Sequence, residues 1–160
     1  MIQRVQTLYF AITMILLAIL LSGMEFFRFV GEKTVYVFSV YGIQSGKVSE
    51  VNASLKSASS MPFFLLIIGF ILFIFITLMG YKNLKRQFKL ARGIFFIYLI
   101  LLIAVIVFAV IGGGVLTNEP TKIELGLGFL FFVLGFPFSF LAQLGIKRDK
   151  KLLDSLNRLR

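Results

Sequence analysis

The 160-residue sequence contains no cysteine, no histidine and no tryptophan, and it has only three prolines. Without cysteine, disulfides and thiol nucleophiles are excluded, and without histidine the commonest general base and zinc ligand is missing. Only seven residues are acidic, and no two of them are spaced like a metal-binding or acid–base pair. The composition therefore predicts a protein that is not an enzyme and that holds no cofactor and no metal.

Charge is scarce as well. Charged residues make up 15% of the chain, against roughly a quarter in soluble domains. Hydrophobic residues make up 59%, including 20 phenylalanines, which leaves too little polar surface to cover a soluble core. The 17 Lys and Arg residues lie in short patches between long apolar runs. This pattern is typical of a multispanning membrane protein and not of a nucleic-acid-binding fold.

Four apolar segments approach the roughly 20 helical residues that cross a hydrocarbon core about 30 Å thick. They run from about residue 8 to 24, 61 to 81, 93 to 116 and 125 to 146, and their interiors carry no charge. We therefore predict an all-α membrane protein with four transmembrane helices, forming a single membrane domain over residues 1–160.

The distribution of Lys and Arg predicts the orientation of these spans. The N-terminal segment, the loop at 82–92 and the tail at 147–160 hold twelve of them, whereas the loop at 25–60 and the third connection hold five. Because Lys and Arg favour the cytoplasmic side, both termini are predicted to be cytoplasmic (N-in/C-in). The loop at 25–60 is then extracytoplasmic, and the loop at 82–92 and the tail form a basic cytoplasmic face.

The extracytoplasmic loop contains a candidate strand. Residues 34–41 are rich in β-branched and aromatic side chains, and glycine and serine turn residues follow them, which predicts one arm of a small β-hairpin. Two interpretations stand side by side. The loop is either a small cap over the helices, which we favour, or a docking surface for a partner, since an isolated hairpin is barely stable in water.

Polar residues within the spans are mild, being hydroxyls such as Thr13, Thr77, Tyr98 and Ser139. Such groups usually bond to carbonyls of their own or a neighbouring helix. A proton relay or a coupled carrier needs ionisable groups inside the membrane and is therefore disfavoured. Glycines at 112–114 favour the end of a helix over an unwound binding segment, and the glycines of the fourth span favour close helix packing.

The basic cytoplasmic segments supply the candidate functional residues. Their spacing at 82–92 places the charges on one stripe of a helix, and each cation near an anionic leaflet contributes about 1 kcal/mol. Anionic lipid headgroups of the inner leaflet are the favoured partner. An acidic protein, or ribosomal RNA at the membrane, is the alternative, although no aromatic platform for nucleic acid is present. The predicted contact residues are Lys82, Lys85, Arg86, Lys89, Arg92, Lys147, Arg148, Lys150, Lys151, Arg158 and Arg160.

The two ends of the chain, Met1–Tyr9 and Ile146–Arg160, and the segment Lys85–Leu90 resemble a family of small Bacteroidota membrane proteins catalogued as domain of unknown function 4293. The resemblance covers the whole chain, and its specific motifs lie in the cytoplasmic pieces. It implies four helices in the bacterial inner membrane and brings no activity or ligand.

Two functions are compatible with this sequence. The first is an accessory or scaffold subunit of a larger membrane assembly, with a membrane protein or further copies of the chain as partner. The second is an oligomeric transporter or channel for a small neutral or lipid-like solute, for which the glycine-rich third and fourth spans provide the motivation.

Overall fold

The computed structural model describes residues 3–32, 34–47, 56–59, 63–80, 83–116 and 122–158. Within these ranges the chain forms four helices and five strands. Their order and bounds are α1 (Gln3–Leu20), β1 (Glu25–Val30), β2 (Thr34–Ser39), β3 (Gly42–Lys47), β4 (Lys56–Ser59), α2 (Phe63–Met79), α3 (Leu84–Leu116), β5 (Lys122–Leu125) and α4 (Leu127–Arg158).

The prediction of an all-α protein with four transmembrane helices is wrong. A five-stranded antiparallel sheet accompanies the helices. In the described ranges two helices are long and apolar enough to cross a membrane, Leu84–Gly114 within α3 and Leu127–Leu152 within α4. The apolar helices Val5–Leu20 and Phe63–Met79 are shorter. The N-in/C-in arrangement was predicted for a chain that crosses the membrane four times, and two such helices do not support it.

The first apolar run divides into a helix and a turn. α1 ends at Leu20, and the N–H of Gly23 donates to the Leu20 carbonyl at 3.1 Å. Gly23 has a φ of 89°, a conformation that glycine adopts without the steric cost paid by other residues. The chain therefore reverses at Gly23 and enters β1 at Glu25, although hydropathy alone continues to Met24.

The sheet has the strand order β4-β3-β2-β1-β5. The strand predicted within residues 34–41 is β2, and the hairpin expected in this loop forms between β2 and β3. β5 comes from the connection between α3 and α4 and pairs with β1. The hairpin is thus part of a larger sheet that a distant segment completes. Residues 33, 48–55 and 60 of the predicted loop lie outside the described residues.

Phenylalanines join the sheet to the helices, and we call this set the aromatic junction. On the sheet side Phe26, Phe27, Phe29 and Phe38 are buried. Tilted and edge-on ring pairs of this kind add about 0.5–1.5 kcal/mol each beyond the burial of their area. Three pairs that cross from sheet to helix, with their ring-centroid distances, are Phe38–Phe108 (4.6 Å), Phe27–Phe129 (5.0 Å) and Phe26–Phe132 (5.7 Å).

Polar groups between the helices are bonded locally. The buried Tyr98 hydroxyl of α3 donates to the Phe132 carbonyl of α4 at 2.7 Å. Thr13, Thr77 and Ser139 donate to carbonyls of their own helices at 2.9, 2.9 and 2.8 Å. The prediction made for these hydroxyls is confirmed. Since each hydroxyl donates its hydrogen to a backbone carbonyl, that hydrogen is not available to a solute.

The apolar side chains of α3 and α4 largely face outward. Only 22% of the most apolar stretch of α3 and 28% of that of α4 are buried inside the protein. The core helix of a soluble protein buries most of such a stretch, but here Ile100, Val110 and Leu134 are more than half exposed. These surfaces require an apolar solvent, and the two helices therefore indicate association with a membrane.

Replacing Phe26 by alanine is expected to lower the free energy of unfolding by about 3–5 kcal/mol, the usual cost of emptying a buried aromatic site. The Phe26 ring is fully buried and contacts rings of the sheet, α2 and α4. Thermal unfolding in a neutral detergent, followed by far-ultraviolet circular dichroism, measures the loss. The control is Phe96→Ala, which truncates a half-exposed ring on α3. Equal destabilisation of both variants would contradict the role assigned to the junction.

Candidate functional site at the basic helix ends

The predicted basic residues lie at the start of α3 and near the end of α4. α3 begins at Leu84, so the segment predicted as a basic helical loop is its first turns, and α4 continues through the predicted tail to Arg158. Lys82 and Arg160 lie outside the described residues. We call the remaining set with described side chains the basic end: Lys85, Arg86, Lys89, Arg92, Lys147, Arg148, Lys150 and Lys151.

Phe88 brings the two groups of cations together. Its buried ring has the Arg92 guanidinium 4.7 Å from its centroid and the Lys150 ammonium at 5.0 Å. Cation–π contacts of this kind contribute about 0.5–1 kcal/mol at exposed sites. The helical spacing predicted for the cations at the start of α3 is confirmed. The structure adds that a cation of α4, Lys150, contacts the same ring as Arg92 of α3. All members of the basic end except Lys150 are exposed, and Lys150 is partly buried.

α1 is attached to this end through a buried polar pair that the sequence analysis did not identify. The side-chain amide of Gln6 donates to the Asp149 carboxylate, and both residues are buried. Gly145 allows the approach, because a Cβ there would lie 2.6 Å from Gln6 Cγ. The second oxygen of Asp149 is buried without a hydrogen-bond partner among the described residues. A buried carboxylate therefore lies within the same helical turn as three lysines and an arginine of α4.

The start of α3 is set by Asn83. Its side-chain oxygen accepts the N–H of Arg86 at 3.3 Å, and its carbonyl accepts the N–H of Gln87 at 2.9 Å. Asparagine is a strong N-cap residue. Lys85 and Arg86 then lie in the first turn, at the positive end of the helix dipole, where cations are unfavourable. These charges therefore do not stabilise their own helix through its dipole.

The chemistry available here is the binding of anions. The described residues contain no group of three or more His, Asp or Glu side chains placed to hold a metal ion. The basic end presents ammonium and guanidinium groups, which suit phosphate oxygens, with arginine able to bind two oxygens at once.

At the opposite end of the helices a cleft of about 400 Å³ opens beside β1, β5 and the start of α4. Arg28 forms an ion pair with Glu25 at 2.9 Å inside it, and Glu124 lies opposite Arg28 in the β1–β5 pairing. The sequence alone does not predict this site. Its one local signal is that Glu25 and Arg28 interrupt a phenylalanine-rich segment, and the third charge is remote in sequence. Its lining residues include Met24, Glu25, Arg28, Glu124, Leu125 and Leu127.

Backbone contacts hold the cleft in shape. The N–H of Gly126 donates to the Phe26 carbonyl at 2.9 Å. A Cβ on Gly128 would lie 2.8 Å from the Glu25 carbonyl oxygen, and a Cβ on Gly126 would also meet that oxygen. The two glycines thus allow the start of α4 to touch β1. The close helix packing predicted for the glycines of the fourth span is found at Gly135, where a Cβ would meet the Tyr98 hydroxyl of α3, whereas Gly126 and Gly128 pack against β1.

Comparison with known proteins gives one match. The model of the family described as Domain of unknown function (DUF4293) matches residues 2–159. No curated protein matches the chain. No solved structure matches it either. Since the family match covers nearly the whole sequence, the chain belongs to the DUF4293 family.

Proposed function

We propose that this protein is a non-enzymatic integral protein of the bacterial cytoplasmic membrane, held there by α3 and α4, and that it acts as an accessory or scaffold subunit of a larger membrane assembly. The observation that carries the proposal is the concentration of exposed cations at one end of two long, outward-facing apolar helices. Cations at the end of a membrane helix favour the cytoplasmic side and anionic lipid.

The dimensions of α4 support the membrane placement. Twenty residues separate Leu127, at the cleft, from Lys147, at the basic end. At 1.5 Å per residue this is about 30 Å, the thickness of a bilayer hydrocarbon core. The basic end and the sheet are therefore spaced to lie at the two opposite headgroup layers. On this proposal the basic end contacts the inner leaflet and the sheet lies on the outer side.

The sheet supports the scaffold role, because β5 is an edge strand whose four residues are all exposed. An edge strand presents unpaired backbone groups that a partner strand or a second copy can bind. Ile123 adds an exposed apolar side chain to this edge.

The transporter hypothesis receives less support. The Tyr98 ring of α3 is surrounded by rings of α2 and α4. The ring centroids of Phe70, Phe132 and Phe136 lie 5.2–5.9 Å from that of Tyr98. A solute passing through this part of one copy would have to displace them. A transport path would consequently have to form between copies of the chain, and no described contact favours that arrangement over a scaffold.

Removing two cations from the basic end is expected to weaken enrichment of anionic lipid. The variant Lys85→Gln with Lys89→Gln should lose about 1 kcal/mol of lipid attraction per lysine. The measurement is the ratio of phosphatidylglycerol to phosphatidylcholine that co-purifies from mixed vesicles. Raising NaCl from about 0.1 M to about 1 M, which shortens the Debye length from about 10 Å to about 3 Å, should reduce the wild-type ratio as well.

The matched control removes two lysines from the sheet, Lys47→Gln with Lys122→Gln, and should leave the ratio unchanged. If both double variants lower it equally, the attraction reflects net charge and not the basic end.

Extraction with a gentle detergent, followed by size analysis and mass spectrometry, should yield a stoichiometric complex with a membrane protein or a defined oligomer. Ile123→Lys is expected to reduce that complex by placing a charge at the exposed β5 edge. Glu32→Lys, in the turn between β1 and β2, is the control for an added lysine elsewhere on the sheet. A bare monomer in the wild-type preparation would contradict the scaffold role.

A further inference from the structure

The cleft between the sheet and the start of α4 carries chemistry that the proposed function does not use. It contains one guanidinium, two carboxylates and the exposed apolar side chains Leu125 and Leu127. A structural ion pair alone would need only Glu25 and Arg28. Glu124 and the surrounding space remain unexplained.

Two of the three guanidinium nitrogens of Arg28, Nε and Nη1, donate to no acceptor in the described part of the chain. Its Nη2 donates to both oxygens of Glu25, at 2.9 and 3.1 Å, so the ion pair occupies one of the three guanidinium nitrogens. Its Nε is shielded from water and has no hydrogen-bond partner in the described part of the chain. A shielded donor without an acceptor is costly. Nη1 donates to no described residue, and the Arg28 side chain is 34% exposed, so this nitrogen is the donor that an anion in the cleft, such as a phosphate group, would bind.

The start of α4 adds to the attraction for an anion. Gly126 and Leu127 line the cleft, and α4 runs for 32 residues from Leu127. The N-terminus of a helix carries a partial positive charge and is a frequent site for phosphate. Arg28 and the helix start therefore favour the same ligand group.

Glu124 requires a different ligand group. It is exposed, and within the described ranges its carboxylate forms neither a hydrogen bond nor an ion pair. It lies directly opposite Arg28 in the β1–β5 pairing, so its carboxylate and the guanidinium belong to neighbouring positions of one cleft. Carboxylates bind primary ammonium groups through charge-assisted hydrogen bonds. The ligand should thus carry a cation a short distance from its phosphate.

The position of the cleft selects a lipid over a soluble ligand. Leu125 and Leu127 are about three-fifths exposed beside the charges. The cleft also lies about 30 Å from the basic end along α4, which is one hydrocarbon thickness away. A headgroup in the cleft would accordingly place its acyl chains along the exposed apolar surface of α4.

We infer that this cleft binds the headgroup of an outer-leaflet phospholipid whose phosphate carries a primary ammonium group, as in phosphatidylethanolamine. The phosphate contacts Arg28 and the start of α4, the ammonium contacts Glu124, and the acyl chains lie along Leu125 and Leu127. This inference rests on the proposed membrane placement. It distinguishes three lipids, because phosphatidylcholine has no ammonium N–H to donate and phosphatidylglycerol has no cation.

The test uses the full-length protein, delipidated in a neutral detergent, with binding of each lipid measured by native mass spectrometry. Wild type should bind phosphatidylethanolamine roughly tenfold or more tightly than phosphatidylcholine or phosphatidylglycerol, the factor expected for one charge-assisted contact. Glu124→Gln should remove the preference over phosphatidylcholine, and Arg28→Gln should weaken the binding of all three lipids at this site. The charge-matched control Glu32→Gln lies outside the cleft and should keep the wild-type preference.

Several outcomes would overturn the inference. Equal affinity for the three lipids, or a preference that survives Glu124→Gln, excludes ammonium recognition. Competition by soluble phosphoethanolamine as effective as that of the lipid excludes a role for the acyl chains. Glu124 is exposed on an edge strand, so its variant reports on binding even if Arg28→Gln fails to fold. Membrane retention of the wild type is measured in parallel. A protein that stays in membranes without the lipid preference refutes this inference alone, whereas one that leaves them in plain buffer refutes the proposed function.

Discussion

The aromatic junction is the constraint on which the rest of the structure depends. Strands as short as these are only marginally stable in water without a packed face, and here that face is formed by phenylalanines from α2, α3 and α4. The same packing fixes the start of α4 against β1, which creates the cleft. It also fixes the distance from the sheet to the basic end, because α4 runs from one to the other.

The parts of this structure that depend on local sequence could be predicted, and the sheet could not. The stripe of cations in α3 follows from three- and four-residue spacing, and the hydroxyl bonds follow from the lack of other partners within an apolar helix. β1 is a six-residue strand broken by charges, and its partner β5 is nearly one hundred residues away. Apolar composition also cannot distinguish a helix from the turn that follows it, which is why the first predicted span extends past Leu20 to Met24.

The two ends of the helices differ in how their charges are compensated. The basic end contains one buried carboxylate, Asp149, and eight cations, two of which lie over the Phe88 ring. At the cleft one guanidinium lies among two carboxylates. The first arrangement has a large excess of one sign and suits any anionic surface. The second is nearly balanced and suits a ligand that carries both signs, so selectivity is expected at the cleft and general attraction at the basic end.

This difference bears on the proposed role as a scaffold. On the proposed membrane placement, general attraction sets the depth of the helices, because cations favour the headgroup layer and the apolar surfaces of α3 and α4 favour the hydrocarbon core. Depth alone leaves the protein free to rotate about the membrane normal. On the two proposals, the lipid contact on one side of α4 and the open strand edge at β5 mark one face of the protein for a partner, whatever its rotation in the membrane plane. A scaffold needs both, because a partner binds productively only when the depth of the scaffold in the membrane and the face that it presents are both fixed.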